Sequence, residues 1–291
     1  MELGIDAPAS FNFKRTVLSH GWCELKPFEF NASSFRLTRV LDLPDRGPVT
    51  VEILQNNGAV TIQSRARLST ANNSRVQRAV RHMLRLDDNM DEFYKNVAQD
   101  PAFQWIADEG AGRLLRAPTV FEDLVKMVCT TNCSWALTEV MVNQLVRHLG
   151  RKTQDGRYSF PSPAAMARMP ESFYRKVIRA GYRAPYIRDL ARKVASGELD
   201  VESWLSSQMH GYDLKREIKA VKGVGDYTAE NMLKLLGRYH GLALDSWVRG
   251  KYSKLHARGR AVSDKKIERH YKRFGDWSGL VLWCDMTRDW L

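Results

Sequence analysis

Apolar and polar positions alternate over much of residues 1 to about 70. Val49, Val51 and Ile53 alternate with polar neighbours, Val60 and Ile62 do so again, and Asn57-Gly58 stands between the two runs. A period of two predicts strands with one buried face, and Asn-Gly between two such runs predicts a tight hairpin. Pro27 to Asn31 and Phe35 to Leu43 read as further strands. The period then changes. Val76, Val80, Met83 and Leu84 recur at helical spacing within Ser74 to Leu86, and Asp87 to Asp100 reads as a second, more acidic helix. From Pro118 onward the pattern is helical throughout. Thr119-Val120-Phe121-Glu122 has the form of a capping box, and that helix breaks at Thr130 to Cys133. Ser134 to Leu149 ends at Gly150, which reads as a C′ glycine, and Ser162-Pro163 opens another helix. Glu171 to Ala180 ends at Gly181, Pro185 opens a helix through Val194, and Asp264 to Phe274 and Trp277 to Trp290 close the chain.

The fold class expected is mainly α with a small N-terminal antiparallel β-sheet domain (α+β). The division expected is a sheet domain with packed helices over residues 1–112 and an all-helical core of two lobes flanking a cleft over 113–291.

One stretch of that core carries more than packing. In Leu214 to Lys251 the apolar positions Leu214, Ile218 and Val221 lie at helical spacing. Lys222-Gly223-Val224-Gly225 then interrupts, and a second helix starts near Asp226 with Ala229, Met232, Leu233 and Leu236 inward. The hairpin unit spans 214–236. Two glycines around Val224 permit a turn that residues with a Cβ resist. The amides at the start of the second helix are unpaired and partly positive, suited to a phosphate. Asp245 follows the apolar run Leu242, Ala243, Leu244. Taken alone, this pattern also fits a buried pair of helices with an Asp capping the next one.

Charge narrows the choice. The 291-residue chain carries a net charge of +12, which suggests an anionic polymer as partner. Ten Lys and Arg fall between Arg249 and Arg273 against only Asp264 and Glu268. With no apolar stretch of about 18 residues and no signal peptide, a soluble intracellular protein is expected, in the cytoplasm and nucleoid or in the nucleus, without a membrane and as a monomer. The four cysteines, Cys23, Cys129, Cys133 and Cys284, contain no C-x-x-C, so no zinc site is expected.

The combination of Lys222-Gly223-Val224-Gly225, Thr228-Ala229 and Asp245 resembles the helix-hairpin-helix and catalytic Asp signature of base-excision DNA glycosylases (the HhH-GPD superfamily). Within it the chain resembles the 8-oxoguanine and 3-methyladenine branch, whose N-terminal sheet domain it shares and endonuclease III lacks. The resemblance covers about Phe11 to the C-terminus. It implies that the hairpin residues Lys222, Gly223, Val224 and Gly225 grip the phosphates of double-stranded DNA containing a damaged base, and that Asp245 is catalytic. Arg249 and Lys251 are expected to join the DNA contacts. CTTNCSWALTEVMVNQLVRHLG resembles the segment whose Asn fills the gap left by a flipped base, which makes Asn132 the gap filler. AGYRAPYIRDLARKV resembles the segment supplying a wedge and an orphan-base reader, here Tyr182 and Arg183. Relatives of the endonuclease III type hold an iron–sulfur cluster on four closely spaced cysteines after the Asp. Only Cys284 follows Asp245 here, so no cofactor is expected beyond a monovalent cation at the hairpin carbonyls.

Two positions depart from the pattern. Bifunctional relatives carry a Lys two residues after the second hairpin glycine, where it forms a Schiff base. That position is Tyr227, so a monofunctional enzyme that uses water is expected, leaving an abasic site. In the base pocket of 8-oxoguanine glycosylases a Gln reads the base and a Phe stacks on it. Those positions are Gly279 and Trp283, and a sandwiching Cys becomes Asn231. Trp283, Trp247 and Tyr227 would supply aromatic walls, and a Trp face stacks well on electron-poor, cationic alkylated purines; the loss of the Gln counts against 8-oxoguanine, and the base expected is an alkylated or oxidised purine. Two other readings stay open: a non-catalytic phosphate clamp, and a bifunctional 8-oxoguanine glycosylase/lyase. A base-flipping deaminase fails for want of zinc ligands.

Overall fold

The computed structural model describes residues 1–56 and 58–290. The N-terminal part is a five-stranded antiparallel sheet in the order β1-β5-β4-β3-β2, with β1 Glu2–Ile5, β2 Phe28–Asn31, β3 Arg36–Leu43, β4 Gly47–Asn56 and β5 Ala59–Gln63. The alternating runs set the register: Ile53 pairs with Ile62 on β4 and β5, and Leu37 pairs with Ile53 across β3. Asn56 and Ala59 close the hairpin; Asn57 of the expected turn lies outside the described residues. The sequence reading missed two pieces here. β1 is a short edge strand, and Phe13–Val17 is helical, capped by Asn12, inside a region read as β.

The first long helix runs from Thr70 to Leu84, four residues earlier than expected at its start, because the Ser69 hydroxyl caps it. The acidic helix is shorter than expected, Asp91–Val97. Half of the expected capping box forms. The Thr119 side chain accepts from the Glu122 amide, but the Glu122 carboxylate is fully buried between Arg39 (2.8 and 2.6 Å) and Lys126 (2.8 Å). Glu202 takes over at the helix start, accepting from the amides of Val120 and Phe121 at 3.0 Å each. Gly150 is extended (φ −72°) rather than left-handed. A side chain there would meet the Ser159 carbonyl oxygen at 2.1 Å, so close packing is the reason for glycine. The C-terminal helices are Asp264–Tyr271 and Ser278–Thr287, separated by a kink at Gly275 (φ +56°).

One apolar core runs from Ile5 to Met286 and includes residues of the sheet and of the helices. Two arginines ahead of the helix Val120–Thr130 hold the hairpin's second helix, Asp226–Leu235. Buried Arg85 donates to the Lys234 carbonyl (3.1 Å), Arg116 donates to the Leu235 carbonyl, and Asp88 balances both. These bonds satisfy carbonyls that a helix C-terminus leaves open and place positive charge where the dipole favours it.

Candidate active site

The hairpin joins the helices Gly211–Lys219 and Asp226–Leu235. Its two glycines have different reasons. Gly223 is left-handed (φ +85°), and a Cβ there would stand 2.5 Å from the Tyr186 ring. Gly225 is extended (φ −98°, ψ −174°) with open space where its side chain would be, so local backbone strain does not explain it. Gly225 is the N-cap and supplies no capping side chain, which leaves the first amides of the second helix facing outward. The one acidic group at that end, Asp226, is paired with Lys215 and Lys219 at 3.0 Å each. Val224 is buried and anchors the turn, while Lys222 is exposed.

Asp245 caps the helix Ser246–His256, its Oδ1 accepting from the Val248 amide at 2.7 Å. That same half-buried carboxylate borders a cavity of about 720 Å³, within the size range of ligand sites. Tyr227, Asn231 and Lys234 line it from one face of the second hairpin helix, at spacings i, i+4 and i+7. Trp247 and Trp283 line it as well, tilted toward each other with ring centroids 5.8 Å apart, and Trp290 completes the aromatic cluster. The base-pocket residues expected from sequence therefore converge on one cavity with Asp245. Burial and the charge of Asp245 raise the Tyr227 phenol above its ordinary pKa, so it stays neutral. Gly279 is no pocket residue. Its amide donates to the Tyr239 carbonyl at 2.7 Å, and a Cβ would meet the Gly241 carbonyl oxygen at 2.0 Å, so no side chain fits there.

The opposite wall, Leu18 to Glu24, went unnoticed in the sequence. Gly21 lies so close under Trp135 that a Cβ would stand 2.3 Å from the indole, and Trp135 Nε1 donates to Glu24 at 2.7 Å. His20 donates through Nε2 to the Leu115 carbonyl at 2.7 Å, and burial lowers its pKa to about 4, so it is neutral. The loop is tied to the last helix by Trp283 Nε1, which donates to the Ser19 carbonyl at 2.8 Å across 264 residues.

Asn132 and Tyr182 meet beside this cavity. Asn132 is exposed in the left-handed region (φ +46°), a conformation Asn tolerates better than most residues. Its Nδ2 donates to the Tyr182 hydroxyl (3.3 Å), which also lies 3.1 Å from Thr131 Oγ1. Tyr182 is 48% exposed. Arg183 differs from expectation. It is buried, its guanidinium donates to the Thr131 carbonyl, and it stacks 4.5 Å from the Tyr182 ring. It braces Tyr182, the expected wedge, in this conformation. Arg249 and Lys251, expected to contact DNA, are ion-paired in this structure. Arg249 is bidentate on Asp264 (2.8 and 2.9 Å), and Lys251 is bound to Asp289 (2.6 Å).

Residues 125–276 match the HhH-GPD superfamily of base excision DNA repair proteins, a match that spans the hairpin, Asp245 and the Asn132–Tyr182 pair. The chain belongs to this family. It is 26% identical over 247 residues to a probable N-glycosylase/DNA lyase of Methanothermobacter thermautotrophicus, covering 74% of this chain and 76% of that protein. Its fold matches the 3-methyladenine DNA glycosylase from Archaeoglobus fulgidus with a TM-score of 0.76 at 22% identity, over 99% of this chain and 98% of the other. It also matches a Clostridium acetobutylicum 8-oxoguanine glycosylase/lyase, solved with double-stranded DNA containing cytosine opposite 8-oxoguanine. The TM-score is 0.75 at 21% identity, over 99% and 98% of the two chains. Both likenesses establish that this HhH-GPD chain has the sheet-plus-helices fold of those glycosylases. No helix among the described residues is long and apolar enough to cross a membrane. No group of three or more His, Cys, Asp or Glu among them is arranged to hold a metal; three thiols are buried and Cys133 is half-buried, its Sγ 3.1 Å from the Cys129 carbonyl.

Proposed function

We propose that the protein is a monofunctional DNA glycosylase that flips a damaged base out of duplex DNA and hydrolyses its N-glycosidic bond with water. One observation carries the reading: the Asp245 carboxylate shares a cavity with the Tyr227 phenol, in the position where lyases of the family hold an amine. Bond cleavage builds positive charge on the sugar. A fixed carboxylate in a partly dry site stabilises that charge and orients water. Tyr227 cannot form an imine, so the reaction ends at the abasic site. The scheme needs only side chains and water. A non-catalytic clamp has no use for Asp245, Asn132 and Tyr182 together. Incubation with lesion-bearing duplexes, followed by hot alkali, tests the reading. Strand scission only after alkali is expected; scission without alkali points to a lyase, and none on any lesion leaves a clamp.

Two further outcomes follow from the contacts proposed. Binding through hairpin amides and basic side chains releases counterions. About four phosphate contacts would weaken affinity roughly a hundredfold between 50 and 200 mM salt. Gly225→Asp puts bulk and a negative charge at the open face of the hairpin, and is expected to weaken binding to all duplexes alike. Affinity indifferent to salt in a titration would remove the phosphate clamp.

Asn132→Ala and Tyr182→Ala are expected to slow excision from duplexes more than from single strands. Their proposed task is to hold an extrahelical state against restacking, which a single strand needs less. Single-turnover rates on both substrates check this, and equal losses would assign the pair to packing.

A further inference from the structure

Lys234 is the least expected group in the cavity. It is 2% exposed, and its Nζ donates to the Leu242 carbonyl at 3.3 Å. The neighbouring carboxylates are engaged elsewhere. Glu230 bonds Lys215 (2.6 Å) and the Ala243 amide (2.5 Å), and Asp245 caps its helix. An ammonium has three N–H donors, so two remain beyond the bond to Leu242. Burying such a group without a carboxylate in contact disfavours the folded chain. A Met would fill the same helix face without that penalty. The lysine also stands two turns from Tyr227, on the helix face that lines the cavity, and Arg85 holds its carbonyl so that the helix end cannot drift.

We propose that Lys234 reads the flipped base, donating hydrogen bonds to a carbonyl or ring-nitrogen acceptor and so selecting neutral oxidised or deaminated bases over cationic N-alkylated purines. This rests on the glycosylase reading and names the substrate class of the same cavity. The tryptophan faces stack on either class and add a cation–π attraction for the cationic one, so the proposed selection requires the ammonium at the base edge to outweigh that attraction. A cationic purine beside a buried ammonium is repelled in a site where water screens little. A neutral base with a carbonyl edge gains a charge-assisted bond. Burial lowers the ammonium to a pKa of about 8, against the opposing charges of Glu230 and Asp245, so it remains mostly protonated at neutral pH. Gly279 is consistent with this: at that position the last helix presents no side chain to the base, which leaves its edge to the other residues lining the cavity.

The test is single-turnover excision by the purified full chain on duplexes carrying 8-oxoguanine, hypoxanthine, uracil, 7-methylguanine or 3-methyladenine. The first three separate the oxidised from the deaminated source of the carbonyl edge. The wild type is expected to release at least one of them faster than either methylated purine. Lys234→Met is expected to lower the ratio of neutral to cationic rates about 10- to 100-fold, the worth of one charge-assisted hydrogen bond. Lys234→Gln, which keeps a neutral donor, should retain part of that ratio. Melting curves for both variants separate loss of selectivity from loss of fold. A wild type that prefers methylated purines overturns the proposal, as does a Lys234→Met that slows both classes equally. A borohydride adduct of the wild type that Lys234→Met abolishes makes the lysine a nucleophile and overturns it too. If the wild type releases none of the five bases, the glycosylase reading itself fails; if it releases them with a ratio indifferent to Lys234, only the selectivity fails.

Discussion

Asp245→Asn protein is expected to fold and bind lesion duplexes near wild type, yet to release the base about a thousandfold more slowly or worse. The two halves of this result have separate causes. Folding survives because the side chain starts the helix Ser246–His256 through Oδ1, and Asn caps as well as Asp. Binding survives because the hairpin amides and the Asn132–Tyr182 pair do not involve the carboxylate. Chemistry fails because an amide carries no charge to set against the sugar cation; loss of one such electrostatic contact costs roughly 3–4 kcal/mol in related cases, and loss of a full charge costs more. Circular dichroism, duplex affinity and single-turnover release measured on the same preparation distinguish these parts. Undiminished release would remove Asp245 from the chemistry and reduce it to a helix cap.

The cap formed by Asp245 and its proposed part in the chemistry bear on how much of the site was legible in the sequence. Capping and catalysis call for the same residue at the same place, so the bland and the functional readings predicted identical residues. The cavity that Asp245 shares with Tyr227 and the tryptophans is what favours the functional reading. The hairpin of 214–236, the strands β3 to β5 and the breaks at Asn132 and Tyr182 were legible because each is local: a glycine pair, a period of two, a helix break. Lys234 carried a signal that went unused, since Tyr227, Asn231 and Lys234 follow the spacing of one helix face. The wall at His20 to Glu24 carried none. It meets Trp283 across most of the chain, and no local pattern reports such a contact. The pairings of Arg183, Arg249 and Lys251 were equally hidden, because a basic residue reads alike whether it faces solvent or a carboxylate.

Wild-type protein mixed with its substrate and borohydride is expected to give no covalent adduct. Borohydride reduces an imine, and the hairpin position from which lyases of the family attack the sugar holds a phenol, kept neutral by burial and by the charge of Asp245. Tyr227→Lys would put an amine in the first turn of the helix Asp226–Leu235, in the cavity beside Asp245. For that amine to attack it must lose its proton. Burial favours the free base and the Asp245 charge opposes it. Burial lowers Lys234, in the same wall, to about 8 against the charges of Glu230 and Asp245, and the same direction is expected for a lysine at 227. A new amine in this cavity is therefore partly deprotonated at mildly alkaline pH, and trapping by Tyr227→Lys should be weak at pH 7 and grow toward pH 9. Some strand cleavage should accompany it even if base release slows, because imine formation opens the route to elimination. Denaturing gels of labelled duplex, run with and without borohydride across that range, read both effects. An adduct formed by the wild type would mean that another amine does the chemistry, with Lys234, Lys222 and the N-terminus as the three to substitute or block, and hydrolysis by water would have to be given up.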